Sequence, residues 1–452
     1  MTKLAYGIDF GTTNTSLALS RDGSLVDLID LDKTATDPTV LRSVIYISPK
    51  KEFLFGSQAI QAYLVDVAQG EVRRKKIVST GKKVKIAKYS HISGYGGEIL
   101  VDEIFEVEEG SGGRLLQSLK SGLSSSLLPV FDLFGTNYSL EDLIAIFLAE
   151  IKNRSDQIIG QKVDQLVIGR PVNFVGDNND LALTRLEKSA HLAGFKSVKF
   201  EYEPIGAAWE YSQENNQKKN IFVFDFGGGT LDFSVVRFPD KKVLATFGLP
   251  IGGDLFNTNL FNAYLANFFG QGSTHGYAQL PLPRYIYDQL SHWYTISMMK
   301  TAAFESTLEN LSFMCSNPSA LSALKSLVFN NLGFALYEEI DRVKKSLSFT
   351  EKEKLNFIAK DIEIMKILSR NQFEQVIENE LSEINQGIEK TLNEANIKAD
   401  EVDIVVTTGG SSLIPIVQSL LKNKFKTSQI ASRNTYTSVA TGLALRAKEI
   451  FV

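Results

Sequence analysis

Two stretches of this chain carry the same pattern of apolar and polar positions. Leu4 to Phe10 is apolar but for Asp9 near its end, the polar turn Gly11-Thr12-Thr13-Asn14 follows, and Thr15 to Ser20 turns apolar again. Short apolar runs bounded by turn residues predict two buried strands joined as a hairpin. Ile221 to Val236 repeats the pattern, with apolar runs on either side of Gly227-Gly228-Gly229-Thr230. Asp9-Phe10-Gly11 and Asp225-Phe226-Gly227 hold the same place before their turns, 216 residues apart, which predicts a duplicated, two-lobed architecture.

Between and beyond these hairpins, helical and strand periods alternate. Ser139-Leu140-Glu141-Asp142 has the composition of a helix start, and Leu143, Ile144, Phe147, Leu148 and Ile151 follow at helical spacing. Leu166-Val167-Ile168 predicts a short strand ending at Gly169-Arg170-Pro171, and a helix carrying Leu183, Leu186, Ala190 and Ala193 is closed by Gly194. Ser369 with Gln372 predicts the start of one long helix through Phe373, Val376, Ile377, Leu381, Ile384, Ile388 and Leu392. Val402 to Val406 predicts a buried strand, Gly409-Gly410-Ser411 a turn, and Ser438 to Ile450 a final helix. Strands alternating with helices give an α/β layered fold.

Two segments interrupt this alternation. Val72 to Lys88 holds eight Lys or Arg and no acid, whereas Glu98 to Glu109 holds six acids and no base. The charges predict neighbouring strands of a small inserted sheet, since opposite charges facing across a ladder attract. A nucleic-acid patch would need aromatic residues among the basic ones, and none occurs before Tyr89. Gly110 to Gly113 predicts the exit from this insert. Between Gly270 and Arg284 a Gly, Ser and Pro cluster predicts a loop, and Tyr285 to Gly333 a second, helical peripheral subdomain.

Composition narrows the functional classes. At 452 residues with a net charge of −4, the chain has room for more than one core and no global field to gather nucleic acid or an anionic membrane. Its one cysteine, Cys315, excludes an intramolecular disulfide, a cysteine zinc site and a redox pair, and points to the cytoplasm. No signal-peptide core or membrane-length apolar run is present. The four histidines are scattered, and neither a Walker A sequence, GxGxxG, GxSxG nor HExxH occurs. Glycine turns at strand ends remain, and their use is to bring backbone N–H groups up to phosphate oxygens.

Five motifs then stand in a telling order: Gly7-Ile8-Asp9-Phe10-Gly11-Thr12-Thr13-Asn14-Thr15, Glu203-Pro204, Asp225-Phe226-Gly227-Gly228-Gly229-Thr230-Leu231-Asp232, Gly252-Gly253-Asp254, and Gly409-Gly410-Ser411-Ser412-Leu413-Ile414-Pro415. In these the chain resembles the ATPase domain of the seventy-kilodalton heat-shock chaperones (DnaK-type), within the actin, hexokinase and sugar-kinase superfamily. Val167 to Phe174, and the absence of a substrate domain after the last helix, more narrowly resemble the truncated YegD-like chaperones. The resemblance implies an α/β, two-lobed actin-like ATPase fold built from duplicated ribonuclease-H-like domains. Its lobes are expected over 1–215 and 216–432, with peripheral inserts at about 50–112 and 256–335, and 433–452 returning to the first lobe.

The same resemblance implies roles. Asp9, Asp232 and Glu203 are the expected Mg²⁺ shell, acting mainly through water; Lys120 faces the γ-phosphate; Asp225 accepts the proton of the attacking water; Thr12, Thr13 and Thr230 offer hydroxyls to the phosphates. Gly11, Asn14, Gly227, Gly228, Gly229, Gly252, Gly253, Asp254, Gly409, Gly410 and Ser411 complete the nucleotide contacts. Asp341, Lys344, Lys345 and Ser348 share one face of a helix, opposite Leu336, Ile340, Val343 and Leu347, and resemble the family's adenosine-contacting stripe. The family's adenine-stacking arginine is Leu413 here, and Lys345 stands for a second arginine. The implied function is Mg²⁺-dependent binding and slow hydrolysis of ATP to ADP, with K⁺ a further candidate cofactor, coupled to lobe closure. A monomer is the favoured state, acting on a protein partner or client that the sequence does not identify. A small-molecule (sugar or acid) kinase and an actin-like polymer or nucleotide-gated adaptor are the alternatives.

Overall fold

The computed structural model describes residues 3–452 apart from 23–25, 70–73, 88–97, 110–112, 118, 126–129, 173, 175–177, 213–218, 241, 292–294, 297–298 and 433–436, and describes only the backbone of 67–69, 74–87, 98–109, 132 and 210–212. Two sheets of one plan organise it. In the first, Leu4–Phe10 lies between Asn14–Arg21, antiparallel to it, and Gln165–Arg170, parallel to it, with Ser197–Tyr202 outermost. In the second, Lys219–Phe226 lies between Leu231–Phe238, antiparallel, and Ile404–Thr408, parallel, with Lys242–Leu249 and Gln429–Ser432 at the edges. The duplication legible in the two hairpins is thus a duplication of whole sheets. In both, the central strands are buried along nearly their full length, as expected of strands covered on both faces.

Two helices lie between the sheets. Glu203–Ser212 and Ser438–Phe451 contribute Ile205, Ala208, Trp209, Val439, Leu443 and Ala447 to one core with Ala5 and Val167 of the first sheet and Ile221, Val223, Ile404 and Val406 of the second. Small residues let them approach backbone to backbone. A Cβ on Gly442 would fall 1.7 Å from the Gly206 carbonyl oxygen, and one on Gly7 would fall 2.2 Å from the Ala444 nitrogen.

Local signals account for most element boundaries. Ser139 caps Leu140–Ile159 by a reciprocal bond with Asp142, and the helix ends at Gly160 with φ 73°, the left-handed conformation glycine takes without strain. The helix expected to run unbroken from Ser369 is two, Arg370–Val376 and Glu378–Ala395: Ile377, with φ −112° and ψ 13°, interrupts it although its side chain is fully buried. Burial of Ile377 and Leu381 against one core overrides continuity of the backbone. The strand expected at Val402 to Val406 runs two residues later, Ile404–Thr408, because Val402 closes a short 3-10 turn.

In the first insert, Arg74–Ala87 and Glu98–Glu109 pair antiparallel, with Arg74 opposite Glu109, Lys75 opposite Glu108 and Lys83 opposite Asp102. The basic and acidic runs are therefore neighbouring strands. The glycines expected at the exit, Gly110 to Gly112, and Asn173 lie outside the described residues. The second insert is helical, with Arg284–Leu290, Ala302–Ser312 and Pro318–Phe329.

Candidate functional site

Both glycine turns sit at the ends of the central strands and close in the same way: the Gly11 N–H donates to the Asn14 carbonyl at 3.0 Å, and the Gly227 N–H to the Thr230 carbonyl at 3.0 Å. They face each other. A Cβ on Gly228 would lie 2.5 Å from Thr13 Oγ1 and one on Gly229 3.1 Å from Thr12 Oγ1, so side chains there would wedge the turns apart. Thr13 Oγ1 donates to Asp254 Oδ2 at 3.4 Å, and the Asp254 N–H donates to the Gly228 carbonyl at 2.9 Å. The third turn closes the same space: Gly409 holds φ 78°, and a Cβ on it would fall 2.2 Å from the Phe226 carbonyl oxygen.

A chamber of about 100 Å³ opens between these turns, walled by Asp9, Lys120, Glu203 and Asp225. Lys120 Nζ donates to Glu203 Oε1 at 2.5 Å, and both side chains are buried. Glu203 opens the helix Glu203–Ser212, where free N–H groups favour a carboxylate. Gly169 leaves the room for it, since a Cβ there would come within 3.0 Å of Glu203 Cγ. Four acids surround one lysine. Burial, then repulsion from Glu203, pushes Asp9 up to about 7, and burial followed by Glu203 does the same to Asp232. Burial, with Glu203, Asp9 and Asp232, drives Asp225 well above the carboxylate range. Burial works against the Lys120 charge, but Glu203 and then Asp9 outweigh it and raise the ammonium's pKa.

These shifts set a pH dependence. Asp9 and Asp232 hold protons more tightly folded than unfolded, so the folded state binds more protons between the ordinary carboxylate value near 4 and about 7, and stability falls as pH rises through that window. The ligand-free protein is expected to have a lower unfolding midpoint at pH 8 than at pH 5.5, with Asp9→Asn flattening the slope. A midpoint that rises with pH over this range would contradict the crowding of these acids.

Away from the chamber the space widens into a cleft of about 830 Å³ reaching the helix Gly333–Leu347. Asp254, Asp341, Lys344, Lys345, Ser348, Ser411 and Leu413 line it. Lys344 is buried, donating from Nζ to the Gly253 carbonyl at 2.9 Å and pairing with Asp341 at 2.8 Å, while Lys345 pairs with the other Asp341 oxygen at 2.6 Å. Burial opposes the Asp341 charge, but Lys344 and Lys345 hold it below the usual carboxylate range. Across the mouth, Arg42 Nη1 of the first lobe pairs with Glu338 Oε1 of the second at 2.9 Å, and the Tyr63 ring meets Phe334 edge-on at 6.4 Å. As a part-exposed pair, Arg42 and Glu338 contribute on the order of 0.2–1 kcal/mol.

All but two of the residues singled out in the sequence lie on these walls. Asp232 and Gly252 are behind them. Asp232 is 1% exposed and accepts the Val172 N–H at 3.1 Å, acting on the chamber through its charge, while a Cβ on Gly252 would meet the Gly228 carbonyl oxygen at 2.1 Å, so that its part is to let the loops touch. Sequence reasoning missed Asn257, Arg42, Glu338 and Phe349, all lining the cleft. None belongs to a motif, although Asn257 stands three residues after Asp254, Glu338 three before Asp341, and Phe349 directly after Ser348.

A family model described as Hsp70 protein matches residues 126–277 and 331–450, more than half of the chain. The chain belongs to the Hsp70 family. It has the two-lobed, actin-like α/β ATPase fold of that family and is an ATP-binding protein of the chaperone ATPase type. The matched segments carry Glu203, the second and third glycine turns and the helix Gly333–Leu347. Asp9, the first turn and Lys120 precede them and meet them only in the folded chamber. Hsp70 ATPases bind ATP or ADP with Mg²⁺. The donors here fit that ion, being carboxylate and hydroxyl oxygens. Among the described residues no three acids, histidines or cysteines converge closely enough to ligate an ion by themselves. Among the described residues, no helix is long and apolar enough to cross a membrane.

Proposed function

We infer that this Hsp70-family chain is a slow, Mg²⁺-dependent ATPase of the YegD-like kind, whose lobes, 1–215 and 216–432, close on the nucleotide. The observation that carries the reading is the buried Lys120–Glu203 pair, set with Asp9 and Asp225 in the chamber where the two phosphate turns meet. Phosphoryl transfer asks for positioning and charge neutralisation rather than covalent chemistry. N–H groups within the turns and the hydroxyls of Thr12, Thr13 and Thr230 hold the β- and γ-phosphates. Lys120 offsets charge on the γ-phosphoryl oxygens. Water bonds to the γ-phosphorus as the bond to the bridging oxygen breaks, and Asp225 takes the water's proton. Asp9 and Glu203 would hold a Mg²⁺ ion through its waters, with Asp232 adding its charge from behind the wall, and the ion would neutralise phosphate charge.

Slow turnover follows from the same geometry. The Lys120 ammonium is shared with Glu203, and burial with the neighbouring acids Glu203, Asp9 and Asp232 raises the Asp225 pKa, which disfavours its ionised, proton-accepting form. Closure is supported by the two helices between the sheets, one of which begins at Glu203. Its single cysteine, buried and unpaired, supports a cytoplasmic setting for a protein that signals through a partner. Asp9→Asn and Asp232→Asn are expected to weaken ATP binding in Mg²⁺ far more than in EDTA, read by isothermal titration. Equal losses in both conditions would show a damaged fold instead of a lost ion shell.

A further inference from the structure

The helix Gly333–Leu347 ends in a turn that presents a bare aromatic ring at the cleft. Phe349 lines the cleft together with Lys345, Ser348 and Leu413, yet is 78% exposed, the most exposed of the chain's described phenylalanines. Its backbone is firmly held. The Phe349 N–H donates to the Ser346 carbonyl at 2.9 Å, and Arg370 fixes the turn from the far side, donating from Nε to the Leu347 carbonyl at 2.8 Å and from Nη2 to the Thr350 carbonyl at 3.0 Å. A large apolar side chain left in water on a rigid turn lowers the free energy of nothing in the free protein, and it gains most from a flat apolar partner arriving from the cleft.

The charged residues nearby do not offer that partner a stacking surface. Lys345 and Lys344 are both spent on Asp341, and Leu413 has no planar group. We propose that the nucleotide's base is held by stacking on the Phe349 ring, with Leu413 also lining the cleft, so that aromatic stacking replaces a guanidinium in this chain. This rests on the ATPase reading above. Stacking on a ring tolerates any base, because every base has a π-face, and the interaction acts on the base alone and leaves the phosphates untouched.

Isothermal titration with Mg²⁺·ATP and with inorganic tripolyphosphate separates these terms. Phe349→Ala is expected to weaken ATP binding by about 5- to 150-fold and to leave tripolyphosphate binding unchanged, while Phe349→Trp keeps ATP affinity and has its indole fluorescence quenched by ATP but not by tripolyphosphate. Adding Leu413→Arg to Phe349→Ala should restore much of the loss. Unchanged ATP affinity in Phe349→Ala, the result expected if the ring serves a protein partner, overturns the inference and leaves the ATPase reading standing. So does an equal loss for both ligands, which would mark general damage to the cleft. A wild-type protein that binds tripolyphosphate no worse than ATP also overturns the inference, and one that binds neither overturns the ATPase reading itself.

Discussion

Lys120→Ala is expected to cut single-turnover ATP hydrolysis by about 10²- to 10³-fold while leaving ATP affinity within a few-fold. The Lys120 ammonium lies in the chamber beside the glycine turns, so in the proposed reaction its charge acts where γ-phosphoryl charge develops and not on the base or ribose. Removing it also strands Glu203 as a buried carboxylate without its cation, which by itself costs about 3–5 kcal/mol of stability. The double variant Lys120→Met with Glu203→Gln keeps the chamber free of that stranded charge and separates the two effects. It should fold more stably than Lys120→Ala and be equally inactive. Hydrolysis at the wild-type rate in either variant would remove Lys120 from the reaction.

The largest loss of stability is expected from Gly442→Val. Its Cβ would sit 1.7 Å from the Gly206 carbonyl oxygen and 2.4 Å from the carbonyl carbon, and backbone, unlike a side chain, has no second rotamer to offer. Either helix Ser438–Phe451 or helix Glu203–Ser212 must move away, at a cost above ~3 kcal/mol. Since Glu203 is the first residue of the second of these helices, displacement also draws it off Lys120. Thermal unfolding should show a much lower midpoint, and any protein that still folds should hydrolyse ATP more slowly. An unchanged midpoint would mean that the helices do not touch at this point.

What the sequence made legible, and what it hid, divides by range of interaction. Turn glycines, the Ser139 capping box and the apolar period of Leu140–Ile159 act within a few residues, and each lies where its local chemistry predicts. The duplication was readable because Asp-Phe-Gly repeats in both hairpins. The break at Ile377 was not, because the residues on either side keep a good helical period, and only burial of Ile377 in the tertiary core favours the kink. The Lys120–Glu203 pair joins residues 83 positions apart, and Arg42–Glu338 joins residues 296 apart. No pattern along the chain announces such partners. Phe349 was invisible for another reason: next to a polar stripe it reads as one more apolar residue, and only its exposure at the cleft sets it apart.

The packing of strand Leu4–Phe10 beneath helix Ser438–Phe451 has a consequence for how the protein is made. The first strand to leave the ribosome lacks its covering helix until residue 438 has been translated, roughly 20 to 90 s later at about 5–20 residues per second. Throughout that interval Ala5, Val167 and Trp209 lack the last layer of their core, because Val439, Leu443 and Ala447 do not yet exist. In the second sheet Ile221 and Val223 also wait for that helix, whereas Ile404 and Val406 leave the ribosome only shortly before it. Neither lobe can therefore complete its folding during synthesis ahead of the other, and a ribosome stalled anywhere before that helix displays two unfinished halves.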